Sequence, residues 1–137
     1  ITPAMSEAKP GVGSAYAALF RDAAGNYLDG GKTYRVTLPA PIPAKDFWAF
    51  TVYDNQTRSL LPTDQRSAGV DSLRPALKKE ADGSVQVFFG PKAPTGYEQN
   101  WIQTMPGRGY NVLLRLYGPL EPWFNQSWQP GDLVLQD

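Results

Sequence analysis

The sequence predicts an all-β protein, an antiparallel β-sandwich with short helical turns and no long helix. Three observations carry that reading. Apolar residues recur at alternate positions in several short runs. Val, Tyr, Phe and Trp crowd those runs. Gly and Pro, 13 of each among 137 residues, punctuate the intervals between them. Such spacing, with no internal repeat, is the pattern of a sandwich built from six to eight short strands.

Taken in order, residues 1–13 ("ITPAMSEAKPGVG") mix Pro, Gly and small polar residues and read as a connector from a preceding region. The sandwich is expected over residues 14–137. "AYAALFRD" is the first strand, ended at Gly25-Asn26. Asp29-Gly30-Gly31 turns the chain into "KTYRVTL", where Tyr34, Val36 and Leu38 share one face. Pro39, Pro41 and Pro43 then force an extended segment outside any ladder. "FWAFTVYD" places Trp48, Phe50 and Val52 on one face and Phe47, Ala49, Thr51 and Tyr53 on the other, so both faces are expected to be covered.

Residues 55–83 read as a long irregular connection with a helical turn near Leu73 to Lys79. Asp82-Gly83 opens the next strand, with Val85, Val87 and Phe89 in register. "PGRG" at 106–109 predicts a hairpin between Trp101–Met105 and Tyr110–Tyr117. A proline-bounded helical turn near Pro122 to Gln126 and a short last strand close the chain.

Composition excludes much chemistry. Basic and acidic side chains balance at 13 each, which leaves no basic stripe to track a phosphate backbone, so nucleic acid is not an expected partner. No apolar run approaches the roughly 20 residues of a spanning helix, and no membrane association is expected. The chain has neither His nor Cys. That removes Ser-His-Asp and Cys-His nucleophiles, the common zinc sites and disulfides. Acid–base work would fall to Asp, Glu, Lys or Tyr, and no catalytic constellation, cofactor or metal site is visible.

Three clusters remain as candidates. Arg115 lies mid-strand among apolar residues, on the face shared by Asn111, Leu113 and Tyr117, where a charge needs a partner. It is either a structural tether, paired with Asp54 or Glu121, or the floor of an anion pocket with Tyr53 and Tyr117. "VYDNQTR" gathers Tyr53, Asp54 and Arg58 directly after a strand; local turn-closing bonds explain such residues as readily as a ligand does. The four tryptophans are either core or a stacking platform for sugars. Trp123 and Trp128, in a proline-bounded loop, are the pair expected to be exposed. Asn55-Gln56-Thr57 and Asn125-Gln126-Ser127 match the glycosylation acceptor pattern, a three-residue match with little weight.

The segments "DGGKTYRVTLP", "FWAFTVYDNQTRSLLPTDQ", "ADGSVQVFFGPKAP" and "NWIQTMPGRGYNVLLRLYGPLEPWFNQSWQPG" occur in the order of a known family. Across residues 11–132 the chain resembles the bacterial domain of unknown function 1214. The resemblance implies a jelly-roll-like sandwich, a bacterial and often exported protein, and a C-terminal position after a second uncharacterised domain, number 1254. It supplies no catalytic residues. The expected role is therefore structural or interactive. The expected partner is the N-terminal domain of the same parent protein or other copies of this chain; the alternatives are a small anionic or sugar ligand, or a part in an active site between the two domains.

Overall fold

The computed structural model describes residues 14–54, 69–73, 76–107 and 109–136. The expected connector at 1–13, and Arg58 with most of the long connection, lie outside the described residues. Among the described residues eight strands form two four-stranded sheets, an all-β sandwich as the alternation predicts. The first sheet runs β1 (Ser14–Leu19), β7 (Tyr110–Pro119), β3 (Ala44–Asp54), β4 (Gly69–Asp71). The second runs β6 (Trp101–Gln103), β5 (Val85–Gly90), β2 (Thr33–Leu38), β8 (Val134–Gln136).

Period-two alternation becomes burial directly. On β2, Tyr34, Val36 and Leu38 point inward; on β7, Tyr110, Val112, Leu114 and Leu116 do so. The inner faces meet in one core, where Phe50 of the first sheet packs edge-on against Phe89 of the second with centroids 5.6 Å apart. β3 begins three residues earlier than the aromatic run suggests, with an irregularity between Ala44 and Phe47. Gly118 sits at this irregularity with a left-handed φ of 68°, and a Cβ there would lie 3.0 Å from the Cβ of Lys45.

Two expectations are corrected. Trp101–Gln103 forms no hairpin with β7. It pairs in parallel with β5 in the other sheet, reached by a crossover through residues 91–100 and the short 3-10 helix Glu98–Asn100. Both edges of β7 are already occupied, by β1 and β3, so no edge is left for β6. The Thr104 N–H and the Trp101 indole N–H both donate to the Gly90 carbonyl, at 2.9 Å each, and fix β6 beside β5. Of the helical turn expected near Leu73 to Lys79, residues 74 and 75 lie outside the described residues, and the described ones follow β4 as turn and irregular chain without a helix. At the C-terminal end, helix α1 (Glu121–Phe124) is the expected short turn, and β8 returns to pair with β2.

Asn100 is fully buried where three segments meet. Its Nδ2 donates to the carbonyls of Lys78 (2.8 Å) and Gln86 (2.9 Å), and its Oδ1 accepts from the Lys78 N–H at 2.9 Å. A buried carboxamide with this set of partners is a structural clamp.

Candidate functional site

The alternation that buries one face of β7 turns Asn111, Leu113, Arg115 and Tyr117 outward. β7 is the second strand of its sheet, so Arg115 faces Tyr16 on β1 and Ala49 on β3. The small Ala49 leaves the guanidinium room to lie along the sheet. One guanidinium N–H donates to the Tyr117 hydroxyl at 3.3 Å, and Tyr117 in turn stacks on Phe47, with ring centroids 4.1 Å apart and planes 20° from parallel. The bond to the Tyr117 phenol is the main cause that raises the Arg115 pKa, with smaller contributions from Tyr53 and Tyr16.

The expected ion pair is not formed. Glu121 is exposed on α1 and makes no pair with Arg115. Asp54 pairs across from Tyr110, five residues along β3 from Ala49, or about 17 Å at the usual strand rise. The backbone register thus sets Asp54 five positions away from the row of Arg115. Among the described residues, Arg115 meets phenols and no carboxylate. Tyr53 lies on the same outer face, opposite Asn111.

This face is unusual within the molecule. Between Phe47 and Tyr53 on β3, Asn111 and Tyr117 on β7, and Tyr16 and Ala18 on β1, Arg115 is the sole charge among the described residues. Asp71 on β4 shares the row, paired beside Ala49, and its carboxylate accepts the Leu73 N–H at 3.0 Å. None of these outward side chains is fully covered, and Tyr16 remains 38% exposed. The second sheet handles its outward aromatic differently. Phe88 is covered by the ring of Tyr97 at 4.9 Å, which in turn carries the Lys78 ammonium 4.2 Å from its centroid.

Trp123 and Trp128 lie elsewhere, and they are not exposed. They are 8% and 7% accessible and stand 6.4 Å apart, tilted by 42°, against the buried Ala17 on the inner side of β1. The loop reads as exposed because prolines and amides flank the indoles. It folds back instead, because the Trp128 indole N–H donates to the Pro39 carbonyl at 2.7 Å and the Gly131 N–H to the Thr37 carbonyl at 2.8 Å. The two indoles line a cleft of about 230 Å³ with Gln126, Gln129, Pro130 and Asp132. The sequence-level candidates therefore separate into two sites on opposite faces of the first sheet: Arg115 with Tyr117 and Tyr53 outside, Trp123 with Trp128 inside.

Among the described residues, no group of carboxylates is placed to hold a metal ion, and no helix is long and apolar enough to cross a membrane. The family model described as "Protein of unknown function (DUF1214)" matches residues 13–121, and the chain belongs to that family.

Two solved structures share the fold. The VPA0106 protein from Vibrio parahaemolyticus matches with a TM-score of 0.80 and 19% identity, over 96% of this chain and 32% of that one. An uncharacterized protein from Burkholderia cenocepacia matches with a TM-score of 0.54 and 20% identity, over 97% of this chain and 32% of that one. The chain thus spans about a third of the length of these solved proteins. A comparison with curated proteins finds no match.

Proposed function

We propose that this domain is a non-catalytic docking module at the C-terminal end of a longer bacterial protein, and that the outer face around Arg115 packs against the remainder of that parent chain. The observation that carries the reading is the pairing of an incompletely covered aromatic face with a cation that meets no carboxylate within the described domain. A sheet face in water usually alternates to polar side chains. This one presents Phe47, Leu113, Tyr16 and Tyr117 instead, the aromatic and arginine composition of interface centres. The length of the solved relatives supports the choice of occupant, since each carries about two-thirds of its chain beyond the matched domain. The partner surface should be apolar with at least one carboxylate or carbonyl set to meet the guanidinium.

The experiment is a substitution read in two contexts. Leu113→Glu, outward on β7, should lower the melting temperature of the longer protein by several degrees. The same change in the 137-residue domain alone should have little effect, because Leu113 packs on nothing across the sandwich. Equal effects in the two contexts would contradict the proposal. So would a stable dimer of the isolated domain that Leu113→Glu dissociates, since the face would then belong to a second copy.

A further inference from the structure

The docking face leaves the inner cleft unexplained. We infer that the cleft between Trp123 and Trp128 binds a neutral, polyhydroxylated ligand of about one sugar ring, held edge-on between the two sheets. The inference is independent of the docking proposal, because the cleft lies on the opposite side of the first sheet.

Shape comes first. A cleft of about 230 Å³ holds about eight waters at liquid density, which is room for one pyranose ring and not for two. The indoles are tilted and more than nine-tenths buried, so no flat platform is offered to an extended glycan. The loop is fixed before any ligand arrives. Trp128 is tied to Pro39 through its side chain and to the Pro122 carbonyl through its backbone N–H at 3.1 Å. Gly131 lies so close to β2 that a Cβ would sit 2.9 Å from the Thr37 oxygen. A preformed cleft loses little conformational freedom on binding.

Chemistry then selects the class. Trp123, Trp128, Pro130 and Ala17 supply apolar walls suited to the C–H groups of a sugar. Trp128 spends its N–H on Pro39, whereas the Trp123 N–H makes no bond to a described residue. Nor is that group sealed in, since the Tyr110 hydroxyl is the one fully enclosed, unbonded side-chain polar atom among the described residues. That donor reaches solvent and is free to exchange water for a ligand acceptor. At the rim, Gln126 and Gln129 each offer both donors and an acceptor, and Asp132 offers acceptors alone. Gln126 also holds a left-handed φ of 62°, uncommon outside glycine.

Hydroxyl groups, which donate and accept, satisfy this whole set. A carboxylate or phosphate ligand does not fit, because among the described residues no Lys or Arg lines the cleft and Asp132 would repel it. An organic cation would suit Asp132 and the rings, yet it would leave the Trp123 N–H without an acceptor.

The test is a titration of the full-length protein, followed by tryptophan fluorescence and by melting temperature. The probes are glucose, galactose, mannose and N-acetylglucosamine, each to tens of millimolar, with choline and citrate as the competing classes. At least one neutral sugar should give a saturable change in both readouts. Gln129→Ala and Asp132→Asn alter exposed rim residues and should leave folding intact. Each should weaken that sugar about tenfold, the equivalent of one hydrogen bond. No saturable response to any of the sugars would overturn the inference. A response to choline or citrate alone would overturn it in favour of a charged ligand, and a sugar response unchanged in both rim variants would place the site elsewhere.

Discussion

Phe47 and Tyr117 stack face to face across β3 and β7 with centroids 4.1 Å apart, and the hydroxyl of Tyr117 accepts the Arg115 guanidinium at 3.3 Å. Cross-strand aromatic pairs of this kind stabilise a sheet locally. Here the pair also stiffens a surface patch, so that Arg115 is held along the face rather than waving into solvent. The docking account grows from that relationship.

Arg115→Leu is therefore a selective probe. In the isolated domain it removes one hydrogen bond at a partly exposed site and should change stability by no more than about 0.5–1 kcal/mol. In the longer protein it would leave any carboxylate set against the guanidinium unpaired, and the loss should rise to about 2–4 kcal/mol. Denaturant unfolding of both forms measures the difference.

Asn100→Ala should be severe in either form. It strips partners from the Lys78 N–H and from the carbonyls of Lys78 and Gln86, in a place water does not reach. A loss of about 2–4 kcal/mol is expected, with β6 and the 91–100 crossover loosened first. Amide exchange at Ile102 and Thr104 would report that order.

Tyr110 carries the opposite expectation. It is 0% exposed, and its hydroxyl has no hydrogen-bond partner. Tyr110→Phe should be neutral or stabilising by up to about 1–2 kcal/mol. Burial also pushes the Tyr110 phenol well above its ordinary 10.0, with Tyr34 and Asp29 adding to the shift. The folded state therefore keeps a proton that the unfolded chain releases near pH 10. Stability from this group is complete below pH 10 and falls as pH rises above it, by about 1.4 kcal/mol per pH unit. Tyr34 is raised as well, chiefly by burial, and adds to the same alkaline loss. Unfolding curves on either side of pH 10 should show a smaller drop for Tyr110→Phe than for the parent.

Gly118→Ala tests the irregularity that ends β7. The residue sits at φ 68°, and a new methyl would press on Asp46 and Lys45. A cost of about 1–3 kcal/mol is expected, read as a lowered melting temperature.

The sequence makes some of this legible and hides the rest for physical reasons. β2, β3 and β7 are readable because each alternates over a full strand, and alternation alone decides which side chains point inward. The same alternation sets Arg115 on the face opposite Val112, Leu114 and Leu116. Its partner is not readable, because partners depend on register: Asp54 is attractive by charge, yet pairing opposite Tyr110 sets it five positions away from the row of Arg115. The false hairpin has a similar origin. Adjacency and a Pro-Gly turn suggest that β6 pairs with β7, but the outcome depends on β7 having no free edge. Asn100 gives no local signal, since its burial is created by segments far apart in the chain. Trp123 and Trp128 lie in a loop of exposed character, and only the bonds to Pro39 and Thr37 draw the indoles inward.

Hydroxyl-radical footprinting of Tyr16, Phe47, Leu113 and Tyr117, in the isolated domain and in the longer parent at equal concentration, tests the central claim most directly. The account predicts that all four lose several-fold in oxidation rate in the longer chain, while exposed Tyr27, 70% accessible and remote from the face, reacts equally in both. Unchanged rates at Tyr16 and Tyr117 would contradict it, because the Arg115 face would then stand open in the whole protein.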